Sequence, residues 1–246
     1  MGVCIKIPDV TFKNDIGIAE IEETPVVPDV PDTYPVTDTL KGLYYLGGTQ
    51  DESLVDHSGN GNNATALGTI TYADGYATFA DSGVYNRIDT PVLTSVENKT
   101  TVVALFRVPT GLRPIASNYT ANDAGYVLTN KIVRIVAGGA GANHNYNTGQ
   151  INSQNFALIA FTLDRNGGRV VRDVNGSNNT LVTASVTPDA WTGTHVIGGY
   201  RSNMSMNDTA DIALVAIHEG DVTDEQLQQI FAYVRWYGES KGLTIA

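Results

Sequence analysis

The sequence predicts an all-β fold, an antiparallel jelly-roll sandwich followed by one C-terminal amphipathic helix. Short apolar stretches recur between turns that contain Gly and Asn, which is the spacing of strands in an antiparallel sandwich. The composition agrees, because 25 glycines accompany frequent Thr, Val and Asn, and only 17% of residues are charged. With 246 residues and 42% hydrophobic content, the chain can bury a substantial core.

Two segments give the strongest strand signals. Residues 156–163 are apolar almost throughout, which predicts a central strand covered on both faces. A period of two along residues 101–108 places one apolar set on a single face: Val102, Ala104, Phe106 and Val108. Shorter strands are predicted at residues 43–46, 77–79, 126–128, 132–136, 170–174, 196–198 and 212–217. The pairs Asn166-Gly167 and Asn175-Gly176 predict hairpin turns between strands.

The C-terminal segment changes to a helical period. Thr223 and Gln226 form a capping-box pattern at the predicted helix start, and Gly238 is the predicted end. One face of this helix carries the apolar residues Leu227, Ile230, Phe231 and Val234. We expect the helix to pack on the outside of the sandwich, with a partner-binding helix as the alternative.

The N-terminal region predicts a separate organisation. Residues 22–35 contain four prolines and four acidic residues, which prevents pairing as a central strand. We therefore expect an N-terminal arm at 1–21, a Pro-rich acidic linker at 22–37 and a sandwich domain at 38–246. An arm of this size is too short to fold alone, so we expect it to dock on another surface.

Charge and cysteine content limit the possible partners. The net charge of −11 repels phosphate backbones, so nucleic acid is not expected as a partner, and it leaves carboxylates for cations. The single cysteine, Cys4, excludes an intrachain disulfide. No apolar run reaches the length of a membrane span, and the first residues lack the order of a signal peptide. We expect no membrane insertion, no signal peptide and folding in a cytoplasm.

Three sequence blocks carry a resemblance to a known family. Residues 55–64 read Val-Asp-His-Ser-Gly-Asn-Gly-Asn-Asn-Ala, and residues 75–80 read Gly-Tyr-Ala-Thr-Phe-Ala. Residues 211–233 join an apolar strand to the capping box of the helix. Together these blocks resemble the laminin-G-like branch of the concanavalin A-like lectin/glucanase superfamily. The resemblance implies a concanavalin A-like sandwich over residues 40–240.

Both ends of the chain are similar to those of bacteriophage virion proteins that carry laminin-G-like domains. The segments concerned are residues 5–12, Ile-Lys-Ile-Pro-Asp-Val-Thr-Phe, and residues 235–243, Arg-Trp-Tyr-Gly-Glu-Ser-Lys-Gly-Leu. The similarity implies a virion structural protein: a capsid decoration or head fibre, or a tail fibre. Residues 1–36 would attach it to capsid or tail proteins as a homo-oligomer in the assembly, and the sandwich would adhere to host surface glycans. A free carbohydrate-binding module is the alternative.

The same resemblance implies a calcium site. The loop that begins at Asp56 is rich in oxygen ligands and glycines, which Ca²⁺ sites require. In the family, an acid before the last strand joins this loop at one ion, and Asp211 has that position here. The implied ligands are Asp56, Asn60, Asn62 and Asp211. The alternative is a glycine-rich turn in which Asp and Asn bond their own backbone.

Two polar aromatic loops are candidates for glycan recognition. One contains His144, Asn145 and Tyr146, and the other contains Tyr200 and Arg201. Aromatic rings can stack on sugars while amides bond hydroxyls, although a solvated hairpin tip is the alternative for each loop.

Catalysis is not expected from this sequence. Hydrolases of the superfamily place paired carboxylates along one strand, and residues 219–224, Glu-Gly-Asp-Val-Thr-Asp, give the nearest match. This segment ends in Asp and lies at a turn that enters the helix. The four histidines are scattered, and no HExxH, CxxC or GxSxG motif occurs. A glycan hydrolase is therefore the least favoured alternative.

Overall fold

The computed structural model describes residues 33–80, 85–118, 125–136, 144–147, 154–184, 190–200, 208–220 and 222–246. The chain divides after residue 30, and the second unit, Pro31–Ala246, contains all of these residues. The predicted arm and most of the predicted linker lie outside the described residues.

The described elements are strands, with one long helix at the end and short helices near the start. Helix α1 spans Gln50–Ser53, α2 spans Asp224–Ser240, and a 3-10 turn covers Val96–Asn98. The strands are β1 (Leu40–Tyr45), β2 (Thr65–Leu67), β3 (Thr71–Ala73), β4 (Tyr76–Phe79), β5 (Arg87–Ser95), β6 (Thr100–Arg107), β7 (Pro114–Ser117), β8 (Gly125–Thr129), β9 (Ile132–Val136), β10 (His144–Asn147), β11 (Ala157–Asp164), β12 (Gly167–Val174), β13 (Ser177–Ala184), β14 (Thr192–Ile197) and β15 (Ala210–Glu219).

Two antiparallel sheets form the sandwich, as the sequence predicts. The larger sheet has the order β13-β12-β11-β6-β15-β4-β3. Strand β15 pairs with β6 along one edge, and with β4 and then β1 along the other. The smaller sheet has the order β10-β9-β8-β7-β14-β5-β2. This arrangement confirms the all-β sandwich with a C-terminal helix.

The larger sheet is buried on both faces. Along β11, Ile159 and Phe161 point into the core between the sheets, while Leu158 and Ala160 point into a second core beneath α2. Strand β6 alternates in the same way, and Val102, Ala104, Phe106 and Val108 all lie in the inter-sheet core. The prediction of a strand covered on both faces is therefore confirmed for β11.

Helix α2 closes the second core. The Thr223 hydroxyl accepts from the Gln226 N–H, and the Gln226 side chain accepts from the Thr223 N–H, which completes the predicted capping box. The predicted apolar face of the helix is buried against the outer face of the larger sheet. Phe156 forms an isolated parallel bridge with Ile245, which holds the last residues beside the start of β11.

The predicted end of this helix at Gly238 is wrong. The helix continues to Ser240, and Gly242, with φ of +72°, adopts the left-handed conformation beyond it. Gly238 lies in the last turn because Leu105 and Ile245 pack closely against it, and a Cβ atom there would lie within 3.0 Å of both side chains. Its role is close packing rather than termination.

The segment 33–39, which we call the strap, packs on the same outer face. Tyr34 and Val36 are buried among the residues of the second core. Five of the seven strap residues, 33–37, fall within the segment that the sequence predicts as linker. The packed domain therefore includes the strap.

Strand β5 was not predicted, because it contains Pro91. The register between β5 and β14 shifts between Thr194 and Val196, opposite this proline. A proline is tolerated at such an irregularity, where a ladder hydrogen bond is already interrupted. The strand also contains few apolar residues, and one of them, Leu93, points to solvent with 58% exposure.

Two glycines with positive φ allow a direct test of the core packing. Gly198 has φ of +77°, and a methyl group there would overlap the ring of Phe79. Gly176 has φ of +80°, but a methyl group there meets no atom of the described residues within 4 Å. We expect Gly176→Ala to cost about 1 kcal/mol from backbone strain alone. Gly198→Ala should cost about 2–4 kcal/mol, because overpacking adds to the strain. Urea unfolding of both variants measures the difference, and equal losses would contradict the close Phe79 contact.

Candidate functional site

A groove of about 550 Å³ opens between α2, β1, the strap and the loop that follows α1. We call it the aromatic groove. Its main lining side chains are Tyr45, His57, Tyr233, Trp236, Tyr237 and Lys241. Trp236 is 39% exposed, which is unusual for so large an apolar side chain, and His57 is also exposed. The groove therefore presents aromatic surface to solvent.

The Asp56 carboxylate organises the loop on one side of the groove. Its Oδ1 accepts from the N–H groups of Leu43 (3.0 Å) and Ser58 (2.9 Å). Its Oδ2 accepts from the Ser58 hydroxyl (2.8 Å) and from the Asn62 N–H (2.8 Å). A buried carboxylate with four donors fixes the turn, because charge-assisted hydrogen bonds are strong and costly to lose.

Two asparagines of this loop, Asn60 and Asn62, bond the edge of β1. The Asn60 side-chain amide donates to the Leu40 carbonyl (2.8 Å), and the Asn62 amide donates to the Lys41 carbonyl (2.7 Å). These bonds hold the loop against β1 and place the His57 ring 4.9 Å from the Tyr45 ring, edge to face. The loop therefore positions an aromatic residue in the groove.

Helix α2 supplies the opposite side through its period. Tyr233, Trp236 and Tyr237 lie at i, i+3 and i+4, so they share one helical face. The Tyr237 ring lies 4.7 Å from Tyr45, and the Tyr233 ring lies 5.6 Å from Trp236. The Tyr45 and Tyr233 hydroxyls are 2.7 Å apart and hydrogen-bonded.

The Tyr45 and Tyr237 hydroxyls remain protonated at neutral pH. Burial raises the pKa of Tyr45 far above its usual range, and the hydrogen bond to Tyr233 raises it further. Burial likewise raises the pKa of Tyr237 to about 12. Both groups therefore act as neutral donors and acceptors.

A buried histidine fixes the strap beside the groove. The His218 Nε2 lies 2.8 Å from the Tyr34 hydroxyl, and its Nδ1 lies 3.0 Å from the Thr39 hydroxyl. The Tyr34 ring also packs edge-on against Tyr233, at 5.6 Å. Burial lowers the pKa of His218 to about 4, so the imidazole is neutral at pH 7.

The structure does not bring Asp211 to the Asp56 loop. Asp56 bonds the backbone of Leu43, which pairs with Ala216, whereas Asp211 lies five residues earlier on β15. The Asp211 carboxylate is held by the Arg107 guanidinium (2.6 Å) and the Thr78 hydroxyl (2.6 Å).

The described residues contain no group of three or more His, Cys, Asp or Glu that could hold a metal ion. Asp56 bonds backbone N–H groups of its own loop, as in the alternative glycine-rich turn, whereas Asn60 and Asn62 bond carbonyls of β1. Calcium stays a prediction, and binding would require Asp56 to exchange its present donors for the ion.

The two predicted glycan loops lie apart in the smaller sheet. His144, Asn145 and Tyr146 belong to β10, the edge strand paired with β9. Tyr200 follows β14, and β14 lies four strand positions from β10, about 19 Å at the usual strand spacing. The Tyr200 carbonyl accepts a hydrogen bond from Arg87. Arg201 lies outside the described residues. The structure therefore does not join them into one site.

The acids of the nearest catalytic-like segment are bound to neighbouring groups. Glu219 accepts from the Asn98 amide at 2.9 Å and lies 3.9 Å from the Lys41 ammonium. Asp224 begins α2 and is paired with Arg169. Asp221 lies outside the described residues.

Sequence reasoning missed the aromatic groove as a unit. The available signal was the spacing of Tyr233, Trp236 and Tyr237 at i, i+3 and i+4, which places three aromatic side chains on one helical face. Their partner Tyr45 is almost 190 residues away in sequence, and only the β1–β15 pairing brings it close.

The architecture is an antiparallel β-sandwich, and comparisons with solved structures agree on this fold. No family model and no curated protein matches the sequence. Domain 4 of AbnA, a GH43 extracellular arabinanase from Geobacillus stearothermophilus, solved in complex with arabinotriose, is similar with a TM-score of 0.60 and 20% identity. This match covers 78% of the chain and 98% of that domain.

Two further solved structures share the fold over part of their length. The binding domain of Paraclostridial Mosquitocidal Protein 1 has a TM-score of 0.57 and 14% identity, over 79% of this chain and 52% of that one. Trypanosoma rangeli sialidase in complex with sialic acid has a TM-score of 0.57 and 19% identity, over 85% and 36%. The chain thus spans about half of the toxin domain and about a third of the sialidase. At these identities, the likeness shows the fold.

Among the residues that the structure describes, no helix is both long and apolar enough to cross a bilayer.

The buried imidazole predicts a pH dependence of stability. The folded pKa of His218, about 4, lies below its unfolded value, so the unfolded state takes up the proton first. Stability should therefore fall as pH decreases from about 6.5 to 4, by roughly 3 kcal/mol for this group. Urea unfolding across this range should show a smaller decrease for His218→Gln, whose amide does not titrate. Identical pH profiles for the two proteins would contradict this role.

Proposed function

We propose that this chain is a non-enzymatic glycan-binding protein and that the aromatic groove holds the sugar. The groove is the observation that carries this proposal, since it combines exposed rings with neutral hydroxyls in a preformed cleft. The apolar faces of sugar rings stack on aromatic side chains, and sugar hydroxyls bond the polar groups around them. The arabinanase domain in complex with arabinotriose supports the proposal because it shares this sandwich over nearly its whole length.

The state of the carboxylates supports a binding role rather than hydrolysis. A glycoside hydrolase needs two carboxyl groups on opposite sides of the scissile bond, one of them able to protonate the leaving group. Here Glu219 and Asp224 are each engaged by nearby groups outside the groove, and Asp56 accepts hydrogen bonds from its loop. The two acids near Lys241 are also engaged, since Glu52 is held by the α1 capping box and Asp74 pairs with Lys241. The groove is better suited to hold a glycan than to cleave it.

We further propose that the protein is a structural component of a bacteriophage virion. The similarity of residues 5–12 and 235–243 to virion proteins supports this role. In this proposal, the N-terminal region binds capsid or tail proteins, and the sandwich projects toward host surface glycans. Several copies in one assembly would strengthen weak glycan contacts through avidity. A free carbohydrate-binding module is the second candidate, favoured by the groove alone.

Removal of the exposed tryptophan tests the glycan site. We expect Trp236→Ala to weaken glycan binding at least tenfold, because a ring stack worth about 1.4 kcal/mol is lost. Leu93→Ala is the matched control, since it removes an exposed apolar side chain on the other sheet and should leave affinity unchanged. A glycan array followed by titration calorimetry measures both. An array without any bound glycan would contradict the proposed function.

Truncation tests attachment to the virion. Because Tyr34 and Val36 belong to the domain core, the informative deletion removes residues 2–30 and retains the strap. We expect this variant to keep the thermal midpoint of the sandwich and to be absent from purified particles by mass spectrometry. Full-length Trp236→Ala is the reciprocal control, which should enter particles normally. Normal incorporation of the truncated chain would exclude attachment through residues 2–30.

A further inference from the structure

The charges around the aromatic groove indicate which class of glycan it accepts. Lys241 supplies the cationic side chain among the described lining residues, and its ammonium lies 4.0 Å from the Asp74 carboxylate. Glu52 is a second acid near it, since Lys241 contributes to the lowered pKa of this carboxyl, although hydrogen bonds from Thr49 lower it more. The positive charge of Lys241 therefore has two carboxylates in its surroundings.

Arginine is absent from the described lining of the groove. Sites for carboxylated or phosphorylated sugars commonly use the planar guanidinium, because its fork matches two oxygens of the anion. The arginine of α2 is not available for this purpose, since Arg235 binds the buried Asp173 carboxylate at 2.5 Å. An anionic sugar would therefore enter the groove without a matching donor.

The remaining polar groups suit hydroxyls. The Tyr45 and Tyr233 hydroxyls share one hydrogen bond between them, and the exposed Thr37 adds a neutral hydroxyl at the groove wall. The net charge of −11 also repels anionic ligands as they approach. Aromatic faces, neutral hydroxyls and an offset cation together match an uncharged sugar.

We propose that the aromatic groove is selective for neutral oligosaccharides and excludes sialylated, uronic or phosphorylated ones, through the pairing of Lys241 with Asp74 and Glu52. This inference rests on the proposed glycan binding. It assigns Asp74 and Glu52 as specificity-determining residues, which lower the affinity for acidic sugars without contacting the neutral ligand.

The test compares neutral and acidic probes on the full-length protein. An array carrying neutral oligosaccharides, including arabinotriose, and acidic ones, including sialyllactose, should show binding to neutral probes alone. Affinity for the neutral probe should change less than twofold between 50 and 500 mM NaCl, since an uncharged ligand is not screened.

The most direct test is whether a variant gains affinity for an acidic sugar. Asp74→Asn removes a 90% exposed carboxylate from Lys241, so the ammonium becomes available to an anion. We expect this variant to gain at least threefold in affinity for sialyllactose, and Asp51→Asn is the control in which an exposed acid of α1 is neutralised. Binding to acidic probes by the unmodified protein, or no gain of sialyllactose binding in Asp74→Asn, would overturn this inference and leave glycan binding intact. An array with no signal for either class would overturn the proposed function itself.

Discussion

The burial of the larger sheet on both faces is the constraint on which the rest of the structure depends. Strands β6, β11 and β15 carry apolar side chains toward the smaller sheet on one side and toward α2 on the other. A sheet with two apolar faces must be covered twice, so the helix and the strap are parts of the core rather than additions to it. The aromatic groove lies where these covering elements meet the edge of β1.

The Asp56 loop shows how one local motif can order both its own backbone and a neighbouring aromatic side chain. Its oxygens satisfy backbone donors of the loop and of β1, which converts a glycine-rich segment into a fixed wall. The fixed wall then holds His57 against Tyr45. The same residues thus satisfy the backbone and position an aromatic side chain.

Much of the fold could be predicted from the sequence, because local periodicity controls it. The apolar run at 156–163 and the Thr223–Gln226 capping box depend on neighbouring residues, and both occur as expected. The predicted end of α2 at Gly238 was wrong because the packing of Gly238 on Leu105 is a tertiary contact. The groove was missed for the same reason: its Tyr45–Tyr237 contact depends on the register of β1 against β15. Asp56 and Asp211 are both implied as ligands of one calcium ion, and only the register of β1 against β15 shows that they lie apart.

The strap has a mechanical consequence for a tethered domain. Thr33, Tyr34 and Thr37 line the groove, and the strap runs directly into β1. Tension between the N-terminal end of the strap and a ligand in the groove would therefore act across a short path through the strap and α2. Because Tyr34 is bonded to His218 on β15 and the strap continues into β1, that load would fall on two paired strands of the larger sheet.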